Sequence, residues 1–278
     1  MKKKISFNFF KKYYIIHLFI IFSVLIYFNL NKEKIDKSLI ILPFLNMQNN
    51  AKSNYFSDGL TEDIISKLSV IDELNIISRE ISLQYEDTKK SFQEIAQKHD
   101  ISNILIGTIL EKKDSIFIIC EFHNLHSNKL NWKKEFNGEK NDILEIQSKL
   151  IKQIANTLNI KLNLSERKII NSSQFINFES YNFYLKGNFE FHKHTFENYD
   201  ISINFYNQAL QLDPFNSKIY SLISNSYAQM FSLNRSEIYK DLAISASERA
   251  IKINDKYPDG YLSRANILTL LGKLNEAL

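Results

Sequence analysis

The chain has 278 residues, 44% hydrophobic and 24% charged, with 6 glycines, 3 prolines and a single cysteine. This composition suits a folded chain with room for two modest domains, and it excludes collagen-like, low-complexity and disulfide-built classes. The formal charge is +4, but five lysines and no acid fall within the first twelve residues, so the near-neutral remainder argues against a nucleic-acid surface.

Residues 1–12 form a basic tail carrying Lys2, Lys3, Lys4, Lys11 and Lys12. Tyr13 to Asn31 then contains no Asp, Glu, Lys or Arg. As a helix it would extend about 28 Å, close to the ~30 Å of a bilayer core. Tyr13 and Tyr14 at one end, and Tyr27 and Phe28 at the other, suit interfacial positions. No small-residue cleavage triplet follows at Phe28-Asn29-Leu30-Asn31-Lys32. The pattern predicts an uncleaved transmembrane helix over 13–31 with a cytoplasmic tail. It therefore predicts a single-pass protein of the inner (cytoplasmic) membrane, with extracytoplasmic soluble domains.

A first soluble domain is expected over 36–162. Ser38 to Leu45 reads as a strand. Leu60, Ile64, Leu68 and Ile71 recur at helical spacing after it. Ser57 or Asp58 can cap that helix, and Glu62 and Asp63 can face its positive amino terminus. The three acids could also be read as metal ligands or an acid/base pair, but capping and the helix dipole account for them, so Asp58 is expected to be a helix cap. Leu74 to Ser78 is a short strand, and Ser91-Phe92-Gln93-Glu94 is a capping box opening a helix to about His99. Asn103 to Leu110, Ser115 to Phe122 and Leu130 to Phe136 read as three strands joined by hairpins. Asp142 opens a last helix carrying Ile143, Ile146, Leu150, Ile154 and Leu158. The predicted order is βαβαβββα, a mixed sheet with helices packed on it. Cys120 lies in an apolar strand and reads as a buried, inert thiol. His123 and His126 flank a hairpin without the further ligands a metal requires.

Five stretches in this order carry a resemblance: Leu42-Pro43-Phe44, YFSDGLTEDIISKLS from Tyr55 to Ser69, Ile77-Ser78-Arg79, EIAQKHDISNILIGTI from Glu94 to Ile109, and Leu130 with Trp132. The region resembles the TolB amino-terminal-like (FlgO-like) domain of bacteria. The resemblance implies an extracytoplasmic or scaffold module, often placed between a transmembrane segment and tetratricopeptide repeats. It brings no catalytic residues with it.

Residues 178–278 show helical repeats. Gly187 takes the small position of a first unit, Ala209 its second-helix alanine and Pro214 its closing proline, with a lengthened turn over His192 to Asn198. Tyr220, Ser224 and Tyr227 open a second unit that Ala243 and Ala250 continue, with an insert around Ser232 to Glu237. Tyr261, Ala265, Gly272 and Ala277 follow the third without a gap. This third tetratricopeptide repeat is expected to be truncated, and the chain to be a fragment. His192 and His194 read as an exposed helix end.

The predicted fold class is α/β plus all-α: an amino-terminal transmembrane helix, a βαβαβββα domain and tetratricopeptide helical repeats. No Walker loop, nucleophile elbow or Cys/His metal spacing occurs in the chain. The expected function is a non-enzymatic, membrane-anchored interaction scaffold that binds a protein or peptide through the repeat groove, with no cofactor, metal or nucleic acid. The alternative is a regulatory or sensory component, related to membrane-bound cyclase or transcriptional-regulator architectures, that lacks its own effector domain.

Overall fold

The computed structural model describes residues 37–48, 54–85, 90–172 and 174–277. The basic tail (1–12) and the apolar span (13–31) lie outside the described residues. Strand β1, Ser38–Ile41, pairs in parallel with β3, Asn75–Ile76, on one side and with β4, Asn103–Lys112, on the other. β4 continues antiparallel into β5, Ser115–Asn124, and then β6, Lys129–Glu139, giving the order β3-β1-β4-β5-β6. The strand expected to run unbroken to Leu45 stops at Ile41, because Pro43 cannot donate to the ladder. It resumes as β2, Leu45–Asn46, which pairs with Thr108 and Ile109 of β4. Phe44 sits in the gap over Gly107, where a Cβ would come within 2.6 Å of the ring.

Helix α1, Asn54–Leu68, and helix α4, Ile143–Thr157, cover one sheet face. Leu60, Ile64 and Leu68 of α1 are fully buried there, each contributing about 1.5–3 kcal/mol relative to exposure. Two shorter helices, α2, Arg79–Leu83, and α3, Phe92–His99, pack on the other face around Ile40, Ile95 and Ile104. The capping box of α3 is present: Ser91 Oγ accepts from Glu94 N, and the Glu94 carboxylate accepts from Ser91 N. Helix α5, Leu164–Asn171, opens on a second capping box, Asn163 with Glu166.

The remaining helices form antiparallel hairpins: α6, Phe178–Phe191, with α7, Phe196–Leu212; α8, Ser217–Asn234, with α9, Glu237–Ile253; and α10, Pro258–Leu270, followed by α11, Leu274–Ala277. The residues expected as loop inserts lengthen helices instead. α8 runs to Asn234 and only Arg235 and Ser236 separate it from α9, since neither Gly nor Pro interrupts 217–234. The hydrophobic core is continuous from Leu39 and Leu105 of the sheet through Leu60 to Tyr181, Tyr206 and Ile219 of the hairpins.

The expected fold class needs one correction. Among the described residues no helix is long and apolar enough to cross a membrane. The longest, α8, has 18 residues but carries Lys218 with several Ser and Asn. The structure is a mixed α/β fold with many helices. The amino-terminal transmembrane helix is not supported, and neither is the single-pass inner-membrane localisation with extracytoplasmic domains that depended on it.

Gly187 faces the ring of Tyr206, where a Cβ would lie 2.3 Å from Cε1. Tyr206 is fully buried and its hydroxyl donates to Asn188 Oδ1 at 2.8 Å, so the ring cannot withdraw. Gly59 meets only the tip of Leu185, at 2.7 Å from Cδ2. Gly187→Ala should therefore lower stability by about 1–3 kcal/mol and Gly59→Ala by less. Urea midpoints at unchanged slope would measure both.

Candidate functional site

Helix α1 has two working faces. Its leucine and isoleucine stripe meets the sheet, and the adjoining side meets α6 along most of its length. Phe56 packs on Phe178 with ring centroids 6.0 Å apart, and Tyr55 donates to Asn182 Oδ1 at 2.8 Å. Gly59 lets the two backbones approach against Leu185. Burial pushes the Tyr55 hydroxyl up to about 12.

Between these elements lies a buried charged network. Asp63 is only 6% exposed. Its Oδ2 accepts from the Tyr181 hydroxyl and its Oδ1 from the Tyr184 hydroxyl, each at 2.7 Å. Lys218 Nζ of α8 stands 3.7 Å from Oδ1 and 4.6 Å from the centroid of the Tyr184 ring. Gln147 Nε2 of α4 donates to the Tyr181 oxygen at 2.9 Å, and Lys67 Nζ donates to Gln147 Oε1 at 3.3 Å. Burial, then the charge of Asp63, pushes both tyrosine hydroxyls well above their usual range. Burial holds the Lys67 ammonium below its usual range, against the pull of Asp63.

Beside this centre, Glu62 accepts from His192 Nε2 at 3.1 and 3.2 Å and pairs with Arg79 Nε at 3.3 Å. Burial alone would raise the Glu62 carboxyl. The hydrogen bond and charge of His192, with the charges of Arg79 and Lys218, outweigh it and hold the carboxyl below its usual range. The network ties α1, α2, α4, α6 and α8 together. A carboxylate out of water needs such partners, because burying it unpaired would cost several kcal/mol.

The acids expected at the cap of α1 are placed differently. The helix starts at Asn54, so Asp58 lies within it and is half-buried, and Glu62 and Asp63 lie well past its first turn. The helix-terminal field therefore does not explain the two later acids; their partners across the junction do. His123, His126, His194 and Cys120, none of them expected to form a site, make separate contacts. His123 packs on Phe92 at 5.3 Å and approaches Glu121, while His126 meets Ser102 Oγ at 2.6 Å. His194 approaches the Tyr199 hydroxyl at 3.3 Å. Cys120 is buried, which pushes its thiol up to about 12. Among the described residues no three His, Cys, Asp or Glu side chains group as metal ligands.

The residues expected at repeat positions lie mostly at helix contacts. Gly187 meets Tyr206, Ala209 and Ala243 are fully buried, and Ala250 is nearly so. Ser224 Oγ donates to the Ala243 carbonyl at 2.7 Å. Tyr220 lies beneath Arg249, and Tyr227 stacks on Tyr239 at 6.2 Å. Ala265 is half-buried on α10, and Gly272 follows that helix at φ +74°. Pro214 and Tyr261 are exposed, and Ala277 ends α11.

No protein-family model matches the chain. A Rhizobium meliloti protein named "Putative adenylate cyclase 3" is 23% identical over 243 residues, 86% of this chain and 41% of that protein. Human serine/threonine-protein phosphatase 5 is 37% identical over 82 residues, 30% of this chain and 15% of that protein. The chain thus spans well under half the length of these curated relatives. TolB from Acinetobacter baumannii is structurally similar with a TM-score of 0.34 and 15% identity, over 44% of this chain and 28% of that one. Lipoprotein GNA1162 from Neisseria meningitidis gives 0.32 and 12%, over 46% of this chain and 99% of that one.

Two outcomes follow from the network. Asp63→Ala strands two buried hydroxyls and Lys218, and should cost about 3–5 kcal/mol. Asp63→Asn keeps an acceptor and should cost about 1–3 kcal/mol, both read from denaturant midpoints. Glu62 has a depressed folded-state pKa. Its contribution is therefore present above the unfolded carboxyl value near 4.5 and is lost as pH falls through the folded value. Glu62→Gln should flatten that acid limb in a stability titration.

Proposed function

We propose that the protein is a non-enzymatic interaction scaffold. In this reading residues 37–162 are a TolB amino-terminal-like α/β domain, and residues 178–277 are tetratricopeptide-type repeats that present a groove to a protein or peptide. The observation that carries the proposal is the repeated way the hairpins close. Gly187, at the small position of the first unit, faces the Tyr206 ring, and Ser224, at the same position of the second, donates its Oγ to the Ala243 carbonyl at 2.7 Å. A small residue at the same place on the first helix of these two hairpins thus lets the second helix come close. Stacked hairpins of this kind leave a continuous surface along their first helices.

That surface can be traced. Lys218 and Asn225 share a face of α8, being seven residues apart. Asn266 Nδ2 of α10 donates to Asn225 Oδ1 at 3.1 Å, and Leu262, one turn earlier on α10, is 64% exposed. The paired amides suit the backbone of an extended peptide, and Leu262 suits an apolar side chain beside it. Lys218 is held by Asp63, so the groove is closed at that end by α1.

The likeness to the adenylate cyclase relative supports a second reading, a regulatory or sensory component without its own effector domain. This chain matches 41% of that protein, so the named activity is not carried over.

Peptide display against the full chain tests the leading proposal. Selected peptides should lose about tenfold or more in affinity with the pair Asn225→Ala and Leu262→Ser. They should bind normally to Leu164→Ser, whose exposed side chain lies on α5. Failure to select any binder, or binding indifferent to the groove pair, would overturn the scaffold assignment. Cyclic-nucleotide formation by the isolated chain would overturn both readings.

A further inference from the structure

We propose that Gln174 and Phe175, in the connection that leads into α6, are a built-in occupant of the peptide groove. The partner is then an extended peptide that seats an aromatic side chain in place of Phe175. The proposal rests on the groove assigned above and names what enters it.

Gln174, Phe175 and Ile176 belong to no helix or strand. Phe175 is buried and Ile176 beside it is 68% exposed, so one side chain of the pair is turned inward. The Phe175 ring meets two rings of α6, Tyr181 edge-on at 5.2 Å and Tyr184 at 4.8 Å between centroids. Lys218 of α8 stands 4.6 Å from the same Tyr184 ring, so Phe175 fills the Lys218 end of the groove. Gln174 reaches the next two hairpins. Its carbonyl accepts from Asn216 Nδ2, whose side chain also caps α8. Its Nε2 donates at 2.6 Å to the hydroxyl of Tyr257, the residue before α10. Bridging α5 and α6 requires no contact with α8 or α10. A main-chain carbonyl, a side-chain amide and an aromatic ring, received by three successive hairpins, are what a bound extended peptide presents.

The connection also has room to leave. Phe175 and Ile176 wall a cleft of about 540 Å³ together with Leu144, Ser148 and Lys152 of α4. A partner's ring on Tyr181 and Tyr184 would turn Phe175 into this cleft. Both rings would then stay out of water, and the tyrosine hydroxyls that hold Asp63 would stay covered. The connection competes with the partner, so the partner's apparent affinity falls with the fraction of chains in which the seat is empty.

A synthetic peptide of residues 171–177, added to the full chain, tests this. Phe175→Ala empties the seat, so that variant should bind the peptide at least about tenfold more tightly than the unchanged chain. A peptide with alanine in place of its phenylalanine should bind neither. Gln174→Ala keeps the buried ring and loses only the Tyr257 contact, so it serves if Phe175→Ala does not fold; it should bind the peptide about threefold more tightly than the unchanged chain. Saturating Gln174→Ala with peptide should speed amide exchange at Phe175 and Ile176, because the connection is displaced. A folded Phe175→Ala chain that ignores the peptide, equal binding by all three chains, or unchanged exchange would overturn the proposal. The scaffold reading fails separately: peptide display that yields no groove binder counts against it, while the connection peptide still decides whether this seat accepts an aromatic segment.

Discussion

The arrangement of the whole chain depends on one carboxylate. Asp63 is out of water and is held by two tyrosine hydroxyls from α6, with a lysine from α8 at the edge of its first contacts. Removing a carboxylate from water is unfavourable by an amount that only good geometry offsets. The hydroxyl donors must therefore reach their positions before the cost is met, and they can do so only if α6 lies against α1 in one register. A greasy contact between two helices could slide by a turn; this one cannot slide without stranding a charge.

The same constraint explains the composition of the junction. Tyr181 and Tyr184 lie one turn apart on α6, so both can reach one carboxylate. Gly59 is needed where Leu185 presses closest, and Gln147 satisfies the second valence of the Tyr181 oxygen from the α4 side. Glu62, His192 and Arg79 form a more solvated outer ring. Helix α1 thus serves the hairpins as a preceding helix would, covering the first face of the stack while its adjoining face completes the sheet.

Much of the α/β half was legible in the sequence. The Ser91–Glu94 capping box, the alternation of β4 and β5 and the stripe from Ile143 to Ile154 are local signals that tertiary contacts reinforce. Pro43 was a readable break within a strand drawn through it. The Asn163–Glu166 box was likewise readable three residues apart, although α5 was not expected. The extent of α8 was harder: a fit to a fixed repeat length assigns extra residues to loops, whereas a run free of Gly and Pro extends the helix. The Asp63 site was legible only as an anomaly. Asp63 and Lys67 fall beside the Leu60–Ile64–Leu68 stripe, where a charge signals a buried partner, but the partners are 80 or more residues away and no local pattern names them. The apolar span at 13–31 carries a strong local pattern, yet no described helix supports a membrane crossing.

The shared core has a consequence for how the chain comes apart. Residues 37–278 cluster as one compact unit, and buried side chains run without a gap from β1 to α8. Sheet and hairpins therefore do not have separate stabilities to lose in turn; the first cluster to open exposes the flank of the other. Heating should give one cooperative transition with the heat-capacity change of the whole unit, not two smaller ones. By the same reasoning, a protease nick in the connection between α5 and α6 would cut the backbone without releasing either half, because their association resides in packing and not in the link.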